Sequence, residues 1–311
     1  MLRLGHPLFV VSIIIFLTVG MDALLEQVQR CVQQPTGTLV WSEGVLDSTM
    51  AAVLERECTG PSDFDQIESR KTFHAKYKAG HIRPIVRTCQ AGPTKVGTVV
   101  ALLDHPDQVH DIPWSLWGKI LTLFNKKNSY TIYFCAHPST RQFPTHSHPT
   151  EPLHINGGYT YPCSHECVMI YRAEDATRVL LHELFHASCS DNPHHSLDQK
   201  EAETEAWAEL VWCGFMSCAS PKDLKSLKAL VKRQSTWMVS QNGRLRRDNH
   251  VAPGPQGFPW RYTAGKEAVW RRWGLLQGAV KGHAVDSLRL TFPPTAAMKR
   301  FYGVRATSTI L

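Results

Sequence analysis

The sequence predicts an α+β fold, and three observations carry that prediction. Between residues 38 and 136 lie short segments rich in β-branched and aromatic residues, separated by turn residues. From residue 176 onward, apolar side chains recur at helical spacing. Between these regions, an apolar strand-like segment runs through a tight turn straight into a helix. The 311 residues are 43% apolar and 20% charged, a globular composition that excludes a disordered or collagen-like chain. No repeat of solenoid or propeller length is visible. The net charge of +7 favours anionic partners only weakly.

Taken in order, residues 8–19 form an apolar run, LFVVSIIIFLTV, preceded by Arg3 and ending in the small residue Thr18 with Gly20 just beyond. A positive start, a short apolar stretch and a small-residue exit predict that residues 1–21 are a secretory signal peptide or a membrane anchor, with a buried first helix as the other reading. The expected location is therefore secreted or membrane-anchored, although no Asn-x-Ser/Thr sequon supports it. Residues 22–34 read as an amphipathic helix. Segments 38–41, 84–88, 97–103 and 130–136 read as strands, giving a β-rich N-terminal region over 22–154. Its last part, 137–154, holds four prolines together with His137, His146, His148 and His154, and reads as an irregular loop in which a metal site is the less favoured option.

An active-site core is expected over 155–218. INGGYTY (155–161) reads as extended, CVMIY (167–171) as a strand, ATRVLLHELFHA (176–187) as a helix and 199–218 as a second helix. Glu174 and Asp175 suit the positive end of the first of these helices. A C-terminal region over 219–311 is expected to be mostly helical. It would hold helices from about 222 to 239 and from 263 to 281, a Pro/Gly loop at 250–259 and a tail of short strand and coil. Nine cysteines include no CxxC pair, so a cysteine-type zinc finger is unsupported; Cys163 and Cys167 are close enough to bridge.

The chemistry concentrates at His182-Glu183-Leu184-Phe185-His186, an HExxH motif on an expected helix. Residues four apart sit one above the other on a helix, so both imidazoles can reach one ion. Glu183 lies to one side, where it can act on a water rather than on the ion. A catalytic zinc site needs a third protein ligand and one open position. Four glutamates on the next helix are candidates: Glu201, Glu205 and Glu209 in one i, i+4 stripe, and Glu203 pointing elsewhere. The preferred choice is Glu205, giving HExxH-x18-E. Cys189, Asp191, Asp198, His194 and His195 are weaker candidates. A metzincin pattern fails at Cys189 and Asn192.

HELFH-x18-E followed by Ala-Trp-Ala-Glu resembles the gluzincin zinc metallopeptidases. The stretch INGGYTY, then CVMIY, then the helix also resembles metallopeptidases encoded by large DNA viruses. The gluzincin resemblance implies a zincin-like domain, a Zn2+ cofactor, His182, His186 and Glu205 as metal ligands, Glu209 as the acid that orients a ligand histidine, and Glu183 as general base. The Gly-x-Met-Glu-Asn exopeptidase motif is absent, so the implied activity is that of an endopeptidase on peptide or protein substrates. Tyr262, His250 and His283 are candidate oxyanion stabilisers. Ile155–Tyr161 is a candidate edge strand for an extended substrate. The competing reading is a non-catalytic basic binding protein with a structural zinc site. Residues 222–247 carry eight Lys/Arg against one Asp, a segment that could contact nucleic acid or an anionic membrane. Its leucines repeat toward a core, which favours a solvated charged face. Nucleic acid is therefore not an expected partner, and membrane contact is expected only through residues 8–19.

Overall fold

The computed structural model of the chain describes residues 20–125, 128–220, 224–252, 254, 257–278 and 282–311. The class is α+β, built on one mixed sheet of six strands: β1 (Leu39–Glu43), β2 (Ile85–Ala91), β3 (Thr94–Leu102), β4 (Tyr130–Cys135), β5 (Gly158–Thr160) and β6 (Val168–Ile170). Their spatial order is β1-β2-β3-β4-β6-β5. The first three strands are antiparallel neighbours, β3, β4 and β6 run parallel, and β5 returns antiparallel to β6 at the edge, with Gly158 opposite Ile170.

Helices cover both faces, and the strands show it by their burial. On one face Val99, Ala101, Ile132, Phe134, Val168 and Ile170 join the main core. On the other, Val100, Leu102, Tyr133, Cys135 and Met169 pack with α2 (Ser48–Thr59) and α3 (Ser69–Lys78) through Leu54, Cys58 and Phe73. A strand covered on both sides has no polar face to show, which is why β3 reads as a continuous apolar run rather than an alternation. The main-core face carries α1 (Met21–Gln33), α4 (Trp114–Phe124), α6 (Ala176–Ala187), α7 (Leu197–Ser217) and α8 (Leu224–Asp248). Between β4 and β5 lies the short α5 (Pro152–Ile155), and the chain continues with α9 (Phe258–Tyr262), α10 (Ala264–Arg272) and α11 (Ala296–Phe301). Helices α1 and α7 meet at Gly214, where a β-carbon would lie 2.9 Å from Val28 Cγ1.

The strand expectations hold, but the β-rich reading of 22–154 needs correction. Three α-helices, α2, α3 and α4, lie between the strands. The first two bury only narrow stripes (Leu54, Glu57 and Cys58; Ser69, Arg70, Phe73 and His74), leaving weak periodicity. The third, WSLWGKILTLF, is apolar almost throughout, so its period is masked. Of the helix expected over 263–281, α10 forms the part up to Arg272, the short α9 precedes it at the end of the expected Pro/Gly loop, and the tail carries α11 in place of a strand.

The expectation of a secreted or membrane-anchored chain is also corrected. The run at 8–19 falls outside the described residues, and among those described no helix is long and apolar enough to cross a membrane. In the basic segment, Lys228 pairs with Asp22 and Arg246 with Glu267, Arg244 donates to the Val285 carbonyl, and Arg233 lies over the ring of Phe292. These side chains serve tertiary contacts, as a solvated helix face packed on a core would.

Candidate metal centre

The site is built on α6, every residue of which is buried. Strand β6 delivers the chain to Asp175, whose left-handed backbone (φ 57°) turns it into the helix. The Asp175 carboxylate accepts from Arg289 Nε (2.6 Å), Leu290 N (2.8 Å) and Thr291 Oγ1 (3.2 Å), so the helix start is fastened to the C-terminal segment. Trp117 on α4 donates to Thr177 Oγ1 at 2.9 Å, fixing the same turn from the other side.

Two turns on, the Nε2 atoms of His182 and His186 stand 3.1 Å apart. Glu201 Oε2, from α7, lies 3.5 Å from the first and 3.6 Å from the second. Among the described residues these three form the one group of His, Cys, Asp or Glu side chains able to hold an ion. A tetrahedral ion with ligands at ~2.0–2.1 Å needs donor atoms roughly 3.3 Å apart, so the triangle fits zinc. The chemistry of the donors agrees with the geometry. Glu201 Oε2 is buried with no hydrogen bond of its own, a state that costs free energy unless a cation completes it.

The far nitrogens of both rings face carboxylates. His186 Nδ1 is 2.7 Å from Asp191, and His182 Nδ1 is 3.0 Å from Glu205. A hydrogen bond like that of His186 to Asp191 sets the tautomer and orientation of a metal-binding histidine, whereas His182 Nδ1 is close to Glu205 without a hydrogen bond. Asp191 is itself held by Thr204 Oγ1 at 3.1 Å. Burial works against the protonated ring of His182, but the carboxylates of Glu205 and Glu201 outweigh it and raise its pKa to about 9. Burial likewise opposes protonation of His186, and Asp191 with Glu201 reverses it. Glu183 is pushed up by burial to about 7, although the two imidazoles pull the other way.

Glu205 does not stand where the motif spacing places it. Its carboxylate is bound by Arg178, with Nη1 at 2.9 Å, and Lys266 Nζ lies 3.7 Å away. Glu209 is engaged by the same two cations, contacting Lys266 directly and standing 3.8 Å from Arg178. Two stripes therefore face each other in opposite directions: Arg178, His182 and His186 on α6 against Glu209, Glu205 and Glu201 on α7. The register puts Glu201 beside both Nε2 atoms and Glu205 behind His182.

The weaker candidate ligands are engaged elsewhere or stand apart. Cys189 is in a disulfide with Cys163, not Cys163 with Cys167. Asp198 pairs with Arg261, and His195 with Glu203. Neither His194 nor the histidines of the 137–154 loop belong to the convergent group. Of the candidate oxyanion stabilisers, Tyr262 lines the cavity, its ring centroid 6.4 Å from that of His182. His250 and His283 do not line it; His283 lies against Ser240 and Trp237.

The cavity over the triangle has a volume of about 130 Å³ and is floored on one side by β5. Gly158 makes that approach possible. A β-carbon there would lie 2.6 Å from Val179 Cγ1, 2.7 Å from the Met169 carbonyl and 3.2 Å from Glu183 Oε1. Sequence reasoning finds Asp191 as a possible ligand and Glu201 as one of four acids, but it misses Arg178 and Lys266. Arg178 carries a readable signal: it stands four residues before His182, on the same helix face.

Comparison with protein-family models, with curated proteins and with solved structures finds no match.

Proposed function

We propose that this chain is a zinc-dependent endopeptidase of zincin type, with His182, His186 and Glu201 as metal ligands and Glu183 as general base. The observation that supports it most is the triangle of two Nε2 atoms and one carboxylate oxygen, 3.1–3.6 Å on a side, with Glu183 next to it on the same helix. The gluzincin likeness keeps its Glu-x-x-x-Glu pair, one turn earlier than the motif alone suggests. Glu201 is the ligand, and Glu205 is the acid that stands 3.0 Å from the far nitrogen of His182.

Zinc held there would supply Lewis acidity, polarising a scissile carbonyl and making water a better nucleophile near neutral pH. Glu183 takes the proton from the attacking water and passes it to the leaving nitrogen. Burial keeps its carboxyl near the working pH, where a base both accepts and releases a proton readily. Tyr262 is the donor available to a developing oxyanion. Strand β5 ends the sheet, so an extended peptide can lie along it above Glu183.

Metal analysis of purified protein, beside digestion of an unfolded protein such as reduced casein, tests this. Wild type should hold one zinc per chain and cleave. Glu183→Gln should keep the zinc and lose about 10²–10⁴-fold in rate, while Glu201→Ala should lose the metal. Absence of stoichiometric zinc in wild type would sink the reading. So would a Glu201→Ala protein that keeps its zinc where Glu205→Ala does not.

A further inference from the structure

We infer that Phe64 is a specificity-determining residue of this site, forming with Tyr159 an aromatic platform that selects an apolar side chain adjoining the scissile bond. The inference rests on the endopeptidase reading and deepens it by naming a substrate class.

Phe64 belongs to the loop between α2 and α3, far in sequence from the HExxH helix, yet it lines the same cavity as His182 and Glu183. The residue is 53% exposed. The backbone beneath it is fastened. The Phe64 carbonyl accepts from Tyr171 Oη at 2.6 Å and from Asn156 Nδ2 at 3.5 Å, and its amide donates to Ser62 Oγ at 3.1 Å. The next residue, Asp65, is buried and accepts from Arg70 N (2.9 Å) and Nε (3.2 Å).

The ring lies on Tyr159 of β5, with centroids 5.7 Å apart and planes 26° from parallel. Tyr159 is locked in turn: its hydroxyl donates to Glu57 at 2.9 Å and accepts from Arg70 at 2.8 Å. An aromatic surface held this firmly loses little entropy when it is covered.

Exposed apolar side chains scattered singly need no explanation, but one that lines a cleft beside a cluster of imidazoles and carboxylates does. Of the seven large apolar side chains exposed among the described residues, Phe64 is the one that lines this cavity. Ile155, Val179 and Leu290 extend the apolar lining inward. The one arginine of the lining, Arg178, is already bound to Glu205, so it offers nothing to an acidic substrate residue, and Glu183 and Glu201 repel one. The occupant this surface fits is a neutral apolar side chain on a peptide paired with β5.

The test measures binding without turnover, in the zinc-loaded Glu183→Gln protein. The probes are two acetylated, amidated hexapeptides of otherwise equal sequence, one with Phe-Leu at its centre and one with Ser-Ser. The Phe-Leu peptide should bind about tenfold tighter, as burial of a few methylenes against an apolar wall predicts. Adding Phe64→Ala should remove about that factor from the Phe-Leu peptide, and Phe64→Leu should keep most of it. Phe301→Ala, which removes an exposed ring on α11, should change nothing. A circular-dichroism melt shows whether each variant is folded; if Phe64→Ala does not fold, the Phe64→Leu and wild-type comparisons decide. Equal affinity for both peptides in the wild-type pocket, or an unaltered Phe-Leu affinity after Phe64→Ala, overturns the inference. Failure of the endopeptidase reading shows separately, as missing zinc or missing casein cleavage in wild type.

Discussion

Asp191 stands 2.7 Å from His186 Nδ1 and takes the hydroxyl of Thr204 on its other oxygen. That arrangement aims the opposite nitrogen of the ring at the metal position. Asp191→Asn keeps the shape but removes the charge. Zinc affinity, measured by competition with a chromogenic chelator, should fall about 10–100-fold; an unchanged affinity would remove Asp191 from the centre. The same residues fix the pH dependence of metal uptake. In the metal-free protein, carboxylates raise the pKa of His182 to about 9 and raise that of His186 as well, so the pair holds protons at neutral pH. Only the neutral ring can bind an ion, so zinc must displace protons. Affinity should therefore rise with pH through neutrality and level off near pH 9. Calorimetry at pH 7 in buffers of different ionisation enthalpy should show proton release on zinc binding, and a buffer-independent heat would contradict it.

At the scale of elements, the centre depends on how closely β5 and α6 approach. Gly158 sets the distance, because a β-carbon would press on the Met169 carbonyl as well as on Val179. A backbone oxygen has no rotamer to escape into, so Gly158→Ala must push β5 from β6 or from α6. We expect a loss of about 1–3 kcal/mol in urea denaturation, together with a marked fall in casein cleavage. A variant as stable and active as wild type would show that β5 has room to spare. The disulfide between Cys163 and Cys189 serves the same junction. It joins the turn after β5 to the C-terminal end of α6, where the Cys163 amide also donates to the His186 carbonyl at 3.0 Å. The other seven cysteines are buried within the fold.

For the whole molecule, the two ends of the described chain close around one sheet. Leu24 and Leu25 of α1 and Ile310 and Leu311 of the tail share the main core with the strands. The tail reaches the start of α6, where Asp175 N donates to Thr309 O and Thr177 N to Ile310 O, at 2.9 and 2.8 Å. Arg289 clamps this junction, bonding the buried Asp175 and the Leu311 carbonyl. Replacing it removes the nearest cation from a buried carboxylate that keeps Leu290 N, Thr291 Oγ1 and, 3.8 Å away, Arg141. Arg289→Ala should therefore destabilise the fold by roughly 1.5–3 kcal/mol, read as a lower urea midpoint of the metal-free protein. A midpoint within experimental error of wild type would mean that the clamp carries no stability.

Much of this architecture is legible in residue patterns. The β-branched segments form β1 to β4, and HELFH predicts a buried helix with two imidazoles on one face. What stays hidden has physical reasons. Helix α4 is apolar on nearly all sides because it is sandwiched in the core, and α2 and α3 bury too little to leave a clear period. Phe64 is a lone aromatic in a loop, with no local pattern to mark it. The sequence by itself determined two stripes of four-residue spacing, Arg178-His182-His186 and Glu201-Glu205-Glu209, and therefore that acids and imidazoles would meet. Which carboxylate faces which imidazole depends on the offset between two packed helices. That offset is decided by side-chain packing and by the pull of Arg178 and Lys266 on Glu205 and Glu209, contacts that exist only once the chain is folded.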